Sequence, residues 1–302
     1  MKYTYYPGCS VKATANLYQE SIDAVMPSLG VELEELDDWN CCGATAYMSV
    51  KELMSFAISA RNLAMAEKFH RDVVTPCSAC YLVLNKTNHY FNDYPDMRKK
   101  LGIALEAGGL SYSGNIRVRH LLDVVVNDVG FEKISEAAAS RLEGLNIAPY
   151  YGCQIVRPFY YGCSACSDSE DPFDDPDDPI CMDRLIEATG ATSVKYSMKT
   201  KCCGSSLMGT EEKQALKLCR GLLADAENNG AHCIVTICPL CQMNLDIYQP
   251  KVNSLFGTKF DIPVIYFTQL IGLAMGKKPK ELGLDKLAVK MTGPMKQILQ
   301  GA

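Results

Sequence analysis

Apolar residues recur at helical spacing in two long segments of the chain, and a short β-branched run follows each segment. In the first segment, between Ser49 and His70, the apolar positions are Leu53, Phe56, Ala57, Ala60, Leu63 and Ala64. Their spacing matches one face of an α-helix. Ser49 followed three residues later by Glu52 is typical of a capping box, so we predict a helix over 49–70 and a strand at 73–74.

The second half of the chain repeats this order of elements. Thr210 is expected to cap a helix that carries Leu216 and Leu223 on its buried face and stops at the Asn-Gly pair at 229–230. A strand is expected directly afterwards, at 234–235. A long helix followed by a short buried strand in each half predicts an α/β fold.

A cysteine motif is duplicated along the chain. A Cys-Cys-Gly triplet at 41–43 recurs at 202–204, and a Cys-x-x-Cys motif at 77–80 recurs at 238–241. Both copies lie 161 residues apart (202 − 41 and 238 − 77). Unrelated core cysteines would not repeat at one fixed offset, so we interpret the chain as a duplicated domain.

The duplication predicts two tandem α/β domains, residues 1–145 and 146–302, related by pseudo-two-fold symmetry. Each Cys-x-x-Cys motif directly follows a predicted strand. Because open α/β sheets place their ligand sites at the carboxyl ends of the strands, the cysteines of each half are expected to form one site there. Residues near 105–149 contain glycine-rich and alanine-rich pieces, and we interpret them as the connection between the halves.

The composition is that of an ordinary globular chain, with 48% hydrophobic and 22% charged residues. A net charge of −5 gives no broad basic surface, so no nucleic-acid partner is predicted. The longest apolar run, 264–276, is shorter than the roughly 20 residues of a membrane-spanning helix. The N-terminus does not resemble a signal peptide. We therefore expect a cytoplasmic protein without membrane contact, whose 15 cysteines are reduced and available as metal ligands.

Five motif cysteines in each half are the predicted metal ligands. They are Cys9, Cys41, Cys42, Cys77 and Cys80, then Cys153, Cys202, Cys203, Cys238 and Cys241. Structural zinc takes four ligands, and an ordinary 4Fe-4S cubane takes one thiolate per iron. A fifth cysteine therefore favours an iron–sulfur cluster that is not a simple cubane. Cys163, in a second Tyr-Tyr-Gly-Cys element, is the alternative to Cys153, and a purely structural zinc protein is the alternative class.

The spacing of these cysteines resembles that of the B subunit of heterodisulfide reductase, the enzyme of methanogenesis that reduces the mixed disulfide of coenzyme M and coenzyme B to two thiols. The similar parts are the pattern C-x31-CCG-x33-C-x2-C from Cys9 to Cys80, its second copy, and residues 151–158, 174–179, 182–185 and 279–284. The resemblance implies two noncubane 4Fe-4S clusters, one per Cys-Cys-Gly motif, with the ten cysteines as catalytic ligands. It also implies that the substrate disulfide lies between the clusters.

The source of electrons is expected to lie outside the chain. The sequence has no glycine-rich dinucleotide motif and no P-loop, so we expect neither flavin nor nicotinamide in this chain. The resemblance implies a complex with a flavin-containing A subunit, fed by a hydrogenase or a formate dehydrogenase, and with a ferredoxin-like C subunit. The alternative is an electron-transfer subunit of a lactate, glycolate or succinate oxidoreductase, because such subunits carry the same paired motif.

Polar residues near the motifs are candidates for binding this substrate. Arg157 follows Cys153 by four residues and Lys201 precedes Cys202, so both are predicted to hold its anionic groups. An ordinary surface charge is the simpler interpretation of each. His120 is a candidate proton donor, and a packed core histidine is the alternative.

Five cysteines lie outside the repeated motif, namely Cys163, Cys166, Cys181, Cys219 and Cys233. Cys219 and Cys233 have no cysteine counterpart in the first half and are predicted to lie in the core or in the lining of the site. Cys163 and Cys166 form an extra Cys-x-x-Cys within a proline- and acid-rich segment, which is either a metal or redox pair or two loop thiols.

Overall fold

Two parallel four-stranded sheets, one in each half of the chain, form the framework of the molecule. A computed structural model describes residues 1–44, 46–139, 142–156 and 174–301. The strand order is β2-β1-β3-β4 in the first sheet and β6-β5-β7-β8 in the second. The predicted α/β architecture of two equivalent units is confirmed, because the two sheets share order and direction.

The first sheet is built from short strands with helices between them. Its strands are β1 (Lys2–Tyr5), β2 (Glu32–Glu35), β3 (Val73–Thr75) and β4 (Val118–His120). The helices are α1 (Cys9–Lys12), α2 (Asn16–Val25), α3 (Ala46–Val50), α4 (Glu52–Glu67), α5 (Ser78–Asp93), α6 (Pro95–Ala107), α7 (Leu121–Asp123) and α8 (Phe131–Ala137). A 3-10 turn at Pro27–Leu29 and a π-helix at Val124–Val129 complete this half.

The second sheet repeats the plan. Its strands are β5 (Asn146–Tyr150), β6 (Thr192–Ser193), β7 (Cys233–Thr236) and β8 (Val264–Tyr266). The helices are α9 (Cys181–Ala188), α10 (Glu212–Asn228), α11 (Pro239–Asp246), α12 (Gln249–Phe256), α13 (Phe267–Ala274) and α14 (Gly293–Gly301). Two 3-10 turns lie at Ser205–Leu207 and Leu284–Lys286.

The strand pairing fixes which residues of the two halves are equivalent. In the first sheet Thr75 pairs with His120, and in the second Thr236 pairs with Tyr266. His120 and Tyr266 therefore occupy the same position, at the carboxyl end of the last strand of each sheet. Strands β3 and β7 are fully buried and rich in β-branched residues, as is typical of parallel strands covered on both faces.

The two halves share one continuous hydrophobic core. The ring of Tyr18, on α2, stacks on the ring of Tyr266, with centroids 3.8 Å apart and planes 2° from parallel. Next to this stack, the hydroxyl oxygens of Ser21 and Thr268 lie 2.6 Å apart. Helices α2 and α13 can approach closely because a Cβ at Gly272 would lie 2.3 Å from Leu282 and 3.1 Å from Val25. The halves are therefore equivalent in topology and joined by buried contacts.

The starts of the two long helices differ from the sequence predictions. The predicted capping box at Ser49 is wrong, because residues up to Val50 form the separate short helix α3 and α4 begins at Glu52. The second helix begins at Glu212 with Glu211 as its N-cap residue, one residue later than a cap at Thr210. Its predicted stop is confirmed, with Asn229 as the C-cap residue.

The segment near 105–149 is more than a connection. It contains β4, which completes the first sheet, and the π-helix that follows it. Arg119 in β4 is 5% exposed and forms two hydrogen bonds with Asp123, at 2.7 and 2.9 Å, and an ion pair with Asp128 at 2.5 Å. Tyr3 on β1 also donates a hydrogen bond to Asp128. These contacts tie the segment to the sheet.

Candidate metal centre

All ten motif cysteines follow the carboxyl ends of strands. In each half the first cysteine follows β1 or β5, the Cys-Cys-Gly triplet follows β2 or β6, and the Cys-x-x-Cys motif follows β3 or β7. Because the strands within each sheet are parallel, these segments meet at one edge. The thirteen described cysteines are all free thiols.

The first half brings its motif thiols together in pairs. The sulfur atoms of Cys42 and Cys80 are 3.4 Å apart, and both side chains are buried. Cys9 and Cys41 are exposed and hydrogen-bonded to each other. The group therefore runs from the surface into the core, with Cys77 at its buried end.

The second half repeats this arrangement. The sulfur atoms of Cys203 and Cys241 are 3.5 Å apart, and Cys153 is hydrogen-bonded to Cys202. The sulfur of Cys202 also accepts a hydrogen bond from the Gly204 amide at 3.3 Å. The structure thus places Cys153 in this group, while the alternative ligand Cys163 lies outside the described residues.

A small cavity of about 50 Å³ opens beside the second thiol group. Its wall is formed by Ser78, Tyr151, Cys153, Gln154, Cys202, Cys203, Ser205, Ser206, Cys238, Leu240 and Cys241. Ser78 belongs to the first half, so the wall of this cavity combines both halves.

The two thiol groups meet at the junction between the halves. Cys77 and Cys238 are the first cysteines of the two Cys-x-x-Cys motifs. Both are buried, and each thiol shifts the pKa of the other. Each is also the N-cap residue of the helix that follows it, α5 or α11. The ten predicted ligands therefore form two groups that touch through this pair.

Hydrogen bonds among the thiols favour thiolates at defined positions. Bonds from Cys42 and Cys9 lower the pKa of Cys41 to about 2, and a bond from Cys153 lowers the pKa of Cys202 to about 6. Bonds from Cys241 and Cys77, together with backbone amides, also lower the pKa of Cys238. Thiolate is the form of cysteine that binds metals, and the same position in each triplet has a lowered pKa.

Glycines allow the backbone to pass close to the sulfur atoms. Gly8 and Gly152, directly before Cys9 and Cys153, have φ angles of 76° and 71°. A Cβ there would lie 2.9 Å from the sulfur of Cys80 and 3.0 Å from that of Cys241. Sequence analysis missed this role, although a Gly-Cys pair closes the Tyr-rich element in each half and was the available signal.

The chemistry of the donor set fits iron–sulfur clusters. Thiolates are the usual ligands of such clusters, and glycine leaves space beside the sulfur atoms in both groups. Within the described ranges, no three His, Cys, Asp or Glu side chains are grouped as they would be around a single metal ion. The fit therefore depends on the paired thiols and on the lowered pKa values of Cys41, Cys202 and Cys238.

The other predicted residues lie in different surroundings. Lys201 is exposed, and its carbonyl oxygen accepts a hydrogen bond from the Tyr150 hydroxyl at 2.8 Å. Arg157, Cys163 and Cys166 lie outside the described residues. Cys219 and Cys233 are confirmed as core residues, since both are fully buried.

His120 is a packed core histidine, which was the alternative to its interpretation as a proton donor. It is fully buried, and its ring lies edge-on to Tyr81 with centroids 5.9 Å apart. Its position at the end of β4 places it beside Cys238 of the other half. This proximity was not visible in the sequence.

Comparison with known families identifies the class. Residues 3–85 and 148–246 match the family described as "CCG: Cysteine-rich domain". The two matched segments cover more than half of the chain and contain the two thiol groups. The chain therefore belongs to the CCG cysteine-rich domain family.

Individual relatives narrow the comparison to oxidoreductase subunits. The chain is 31% identical to the B subunit of the ferredoxin/F(420)H(2)-dependent CoB-CoM heterodisulfide reductase of Methanosarcina acetivorans, covering 96% of this chain and 94% of that protein. A protein of Archaeoglobus profundus described as similar to the heterodisulfide reductase B subunit is 31% identical, with 93% of both chains covered. The resemblance to this kind of subunit is confirmed at the level of the family, and it supports an oxidoreductase role.

A relative with another assignment is similar to the same extent. The 8-methylmenaquinol:fumarate reductase membrane anchor subunit of Wolinella succinogenes is 33% identical, covering 96% of this chain and 98% of that protein. None of the helices in the described ranges has the length and apolar character needed to cross a bilayer.

A solved structure has the same fold. The crystal structure of a hypothetical protein from Helicobacter pylori matches with a TM-score of 0.73 at 15% sequence identity. The match covers 96% of this chain and 52% of that chain, so this chain spans about half the length of that protein. At this identity the comparison supports the fold alone.

Proposed function

We propose that the chain holds two 4Fe-4S clusters of noncubane type, one in each half, with the five motif cysteines of each half as ligands. The support is the repeated pairing of thiols, Cys42 with Cys80 and Cys203 with Cys241, at matching distances of 3.4 and 3.5 Å. When bound, such clusters accept and donate electrons. The protein supplies thiolates, space beside the sulfur atoms and a largely buried surrounding.

We further propose that the chain is the catalytic subunit of a heterodisulfide reductase, which reduces the coenzyme M–coenzyme B disulfide to two thiols. The observation that carries this proposal is the contact of Cys77 with Cys238, which joins the two thiol groups at one junction. Reduction of a disulfide takes two electrons and yields two thiols. Two equivalent centres that meet at one place match this stoichiometry.

The cavity beside the second group is the proposed place for the substrate. Polar side chains of Ser78, Gln154, Ser205 and Ser206 share its wall with the cysteines. Lys201 is next to Cys202 in sequence, and it is proposed with Arg157 to hold the anionic groups of the substrate. The role of these residues is to bind and orient the disulfide.

Electrons are proposed to arrive from partner proteins of a cytoplasmic complex. The relatives named as ferredoxin-dependent heterodisulfide reductase subunits support this arrangement. The proposed partners are a flavin-containing A subunit, connected to a hydrogenase or formate dehydrogenase, and a ferredoxin-like C subunit. Neither nucleic acid nor a membrane is part of this proposal.

Iron analysis of cysteine variants tests the ligand assignment. Anaerobically purified protein should contain about eight irons and about eight acid-labile sulfides per chain, as two clusters of four. Cys153→Ser should remove about half of this iron, because one centre loses its first ligand. Cys163→Ser and the core variant Cys233→Ala should retain it. Iron loss in Cys163→Ser with full retention in Cys153→Ser would reverse the assignment.

Electron paramagnetic resonance tests the catalytic role. Addition of the thiol coenzyme M to the oxidised protein should produce a new paramagnetic signal, since substrate sulfur would then reach a cluster. If the protein contained about eight irons but did not respond to the thiol, the proposed catalysis on this disulfide would be contradicted. The proposal of two clusters would still hold.

An electron-transfer subunit of a quinol-linked oxidoreductase is the second candidate function. It is favoured by the relative named as a subunit of an 8-methylmenaquinol:fumarate reductase, which matches this chain over 98% of its own length. In that case the protein would contain the same amount of iron but would not respond to thiols. Its clusters would instead be reduced by a quinol-oxidising or dicarboxylate-linked partner.

A further inference from the structure

Two polar side chains at the junction between the halves are buried without a hydrogen-bond partner. Ser78 is 1% exposed and His120 is fully buried. Within the described part of the chain, neither the Oγ of Ser78 nor the Nε2 of His120 has a partner. Both residues belong to the first half. An unpaired buried donor carries an unfavourable desolvation cost, which an acceptor bound at the junction would remove.

The hydrogen bonding of His120 defines it as a donor. Its Nδ1 accepts a hydrogen bond from the Leu122 amide at 3.1 Å. The proton of the neutral ring is therefore on Nε2. The ring lies beside Cys238 and the backbone of Pro76 and Ile237, but neither backbone group completes a hydrogen bond with Nε2.

Ser78 reaches the same centre by another route. It directly follows Cys77, whose thiol interacts with that of Cys238 at the junction of the two halves. Its side chain forms part of the wall of the cavity that Cys238 and Cys241 also line. Two unpaired donors from the first half therefore lie at the thiol group of the second half.

The equivalent positions of the other half lack these free donors. Pro239 replaces Ser78 at the 161-residue offset and has no hydroxyl. Tyr266 occupies the position of His120, and its hydroxyl donates to Gln242 at 3.5 Å. The hydrogen-bond donors around the two thiol groups are thus unequal.

The threonines two residues before each Cys-x-x-Cys motif also differ in their hydrogen bonding. The Oγ1 of Thr75 accepts a hydrogen bond from the Cys77 amide at 3.4 Å. The Oγ1 of Thr236, two residues before Cys238, has no hydrogen-bond partner among the described residues. A third unpaired hydroxyl therefore lies close to the second group.

We propose that Ser78 and His120 donate hydrogen bonds to sulfur atoms of the second centre near Cys238, and that this centre consequently has the higher reduction potential of the two. Hydrogen bonds to sulfur stabilise the added negative charge of a reduced cluster. Electrons that enter the protein then collect at the second centre. This inference rests on the proposed clusters but not on the substrate.

A redox titration monitored by electron paramagnetic resonance tests the inference on the intact, anaerobically purified protein. The wild type should show two separate midpoint potentials. Ser78→Ala and His120→Phe should each lower the higher potential and leave the lower one unchanged. A tenfold change in the one-electron equilibrium corresponds to about 59 mV. Pro239→Ser, which adds the missing hydroxyl to the first centre, should raise the lower potential.

Thr4→Val is the matched control. Thr4 also carries a buried hydroxyl without a partner in the described structure, but it lies within β1, paired with Val73. This variant should shift neither potential. Two results would overturn the inference: equal potentials in the wild type, or a Ser78→Ala variant in which the higher potential does not move. Neither result would contradict the proposal that the protein holds two clusters. Protein without iron would overturn the proposed function as well.

Discussion

Individual glycines and thiols define the site at the scale of residues. Eight of the ten cysteines could be selected from the sequence because the Cys-Cys-Gly and Cys-x-x-Cys motifs repeat at one offset of 161, and Cys9 and Cys153 were selected because each ends a Tyr-rich element with Gly-Cys. The close approach of Gly8 to Cys80 could not be predicted, because these residues are distant in sequence and are brought together only by the sheet. The same applies to the buried, unpaired state of Ser78 and His120, which follows from the tertiary packing and not from the sequence pattern.

Gly152→Ala should impair the second centre specifically. The new Cβ would lie 3.0 Å from the sulfur of Cys241 at a φ of 71°. The positive φ alone costs about 1–2 kcal/mol, and the contact displaces a ligand. We expect roughly half of the iron to be lost, measured as iron per chain.

Gly257→Ala separates the two effects in that experiment. Gly257 has a similar φ of 67°, but a Cβ there meets no atom within 4 Å. The Gly257→Ala protein should lose about as much folding stability as Gly152→Ala and should keep all of its iron. Equal iron loss in both variants would mean that backbone strain, and not the contact with sulfur, removes the cluster.

At the scale of elements, the long helices and the buried strands could be predicted, whereas the short strand at the sheet edge and the first residues of the helices could not. Helix α4 and strand β3 follow the expected periodicity. The strand β4 contains one β-branched residue, Val118, and a long apolar run follows it directly, so no strand pattern stands out there. The capping prediction at Ser49 was wrong because a short helix before α4 took those residues.

Arg119→Leu should strongly destabilise the first sheet. Arg119 is 5% exposed, and its removal leaves Asp123 and Asp128 without their cation. Breaking a buried ion pair in this way costs about 3–5 kcal/mol. The expected result is a large decrease in the urea midpoint, followed by circular dichroism under anaerobic conditions.

An exposed pair provides the comparison. Lys251 and Glu212 form an ion pair at 2.5 Å with about half of each side chain exposed. Lys251→Ala should cost only about 0–1 kcal/mol. If both variants lowered the midpoint equally, burial would not be the source of the effect at Arg119.

At the scale of the whole molecule, two equivalent units act as one body. Their cores are continuous, and the rings of Tyr18 and Tyr266 stack across the interface between them. The thiol groups meet at the same interface through Cys77 and Cys238. Damage to this interface should therefore affect both centres together.

Tyr18→Ala tests this coupling. The variant removes a fully buried ring and leaves a cavity between the halves, which costs about 3–5 kcal/mol for a large aromatic residue. Both clusters should become labile to a chelator at the same time, as followed by the loss of visible absorbance. Tyr94→Ala is the control, because Tyr94 also stacks on a tyrosine but is 49% exposed. Loss of only one cluster in Tyr18→Ala would show that the halves are independent.

The sequence by itself determined the α/β class, the duplication and the thiols proposed as ligands, because helical periodicity, β-branched runs and repeated spacings are local properties of a chain. Only the tertiary structure decided that the halves share one core, that Cys77 meets Cys238 and that His120 lies beside the thiols of the other half. These contacts join positions more than a hundred residues apart. They depend on how two complete sheets pack, and no local pattern records that packing.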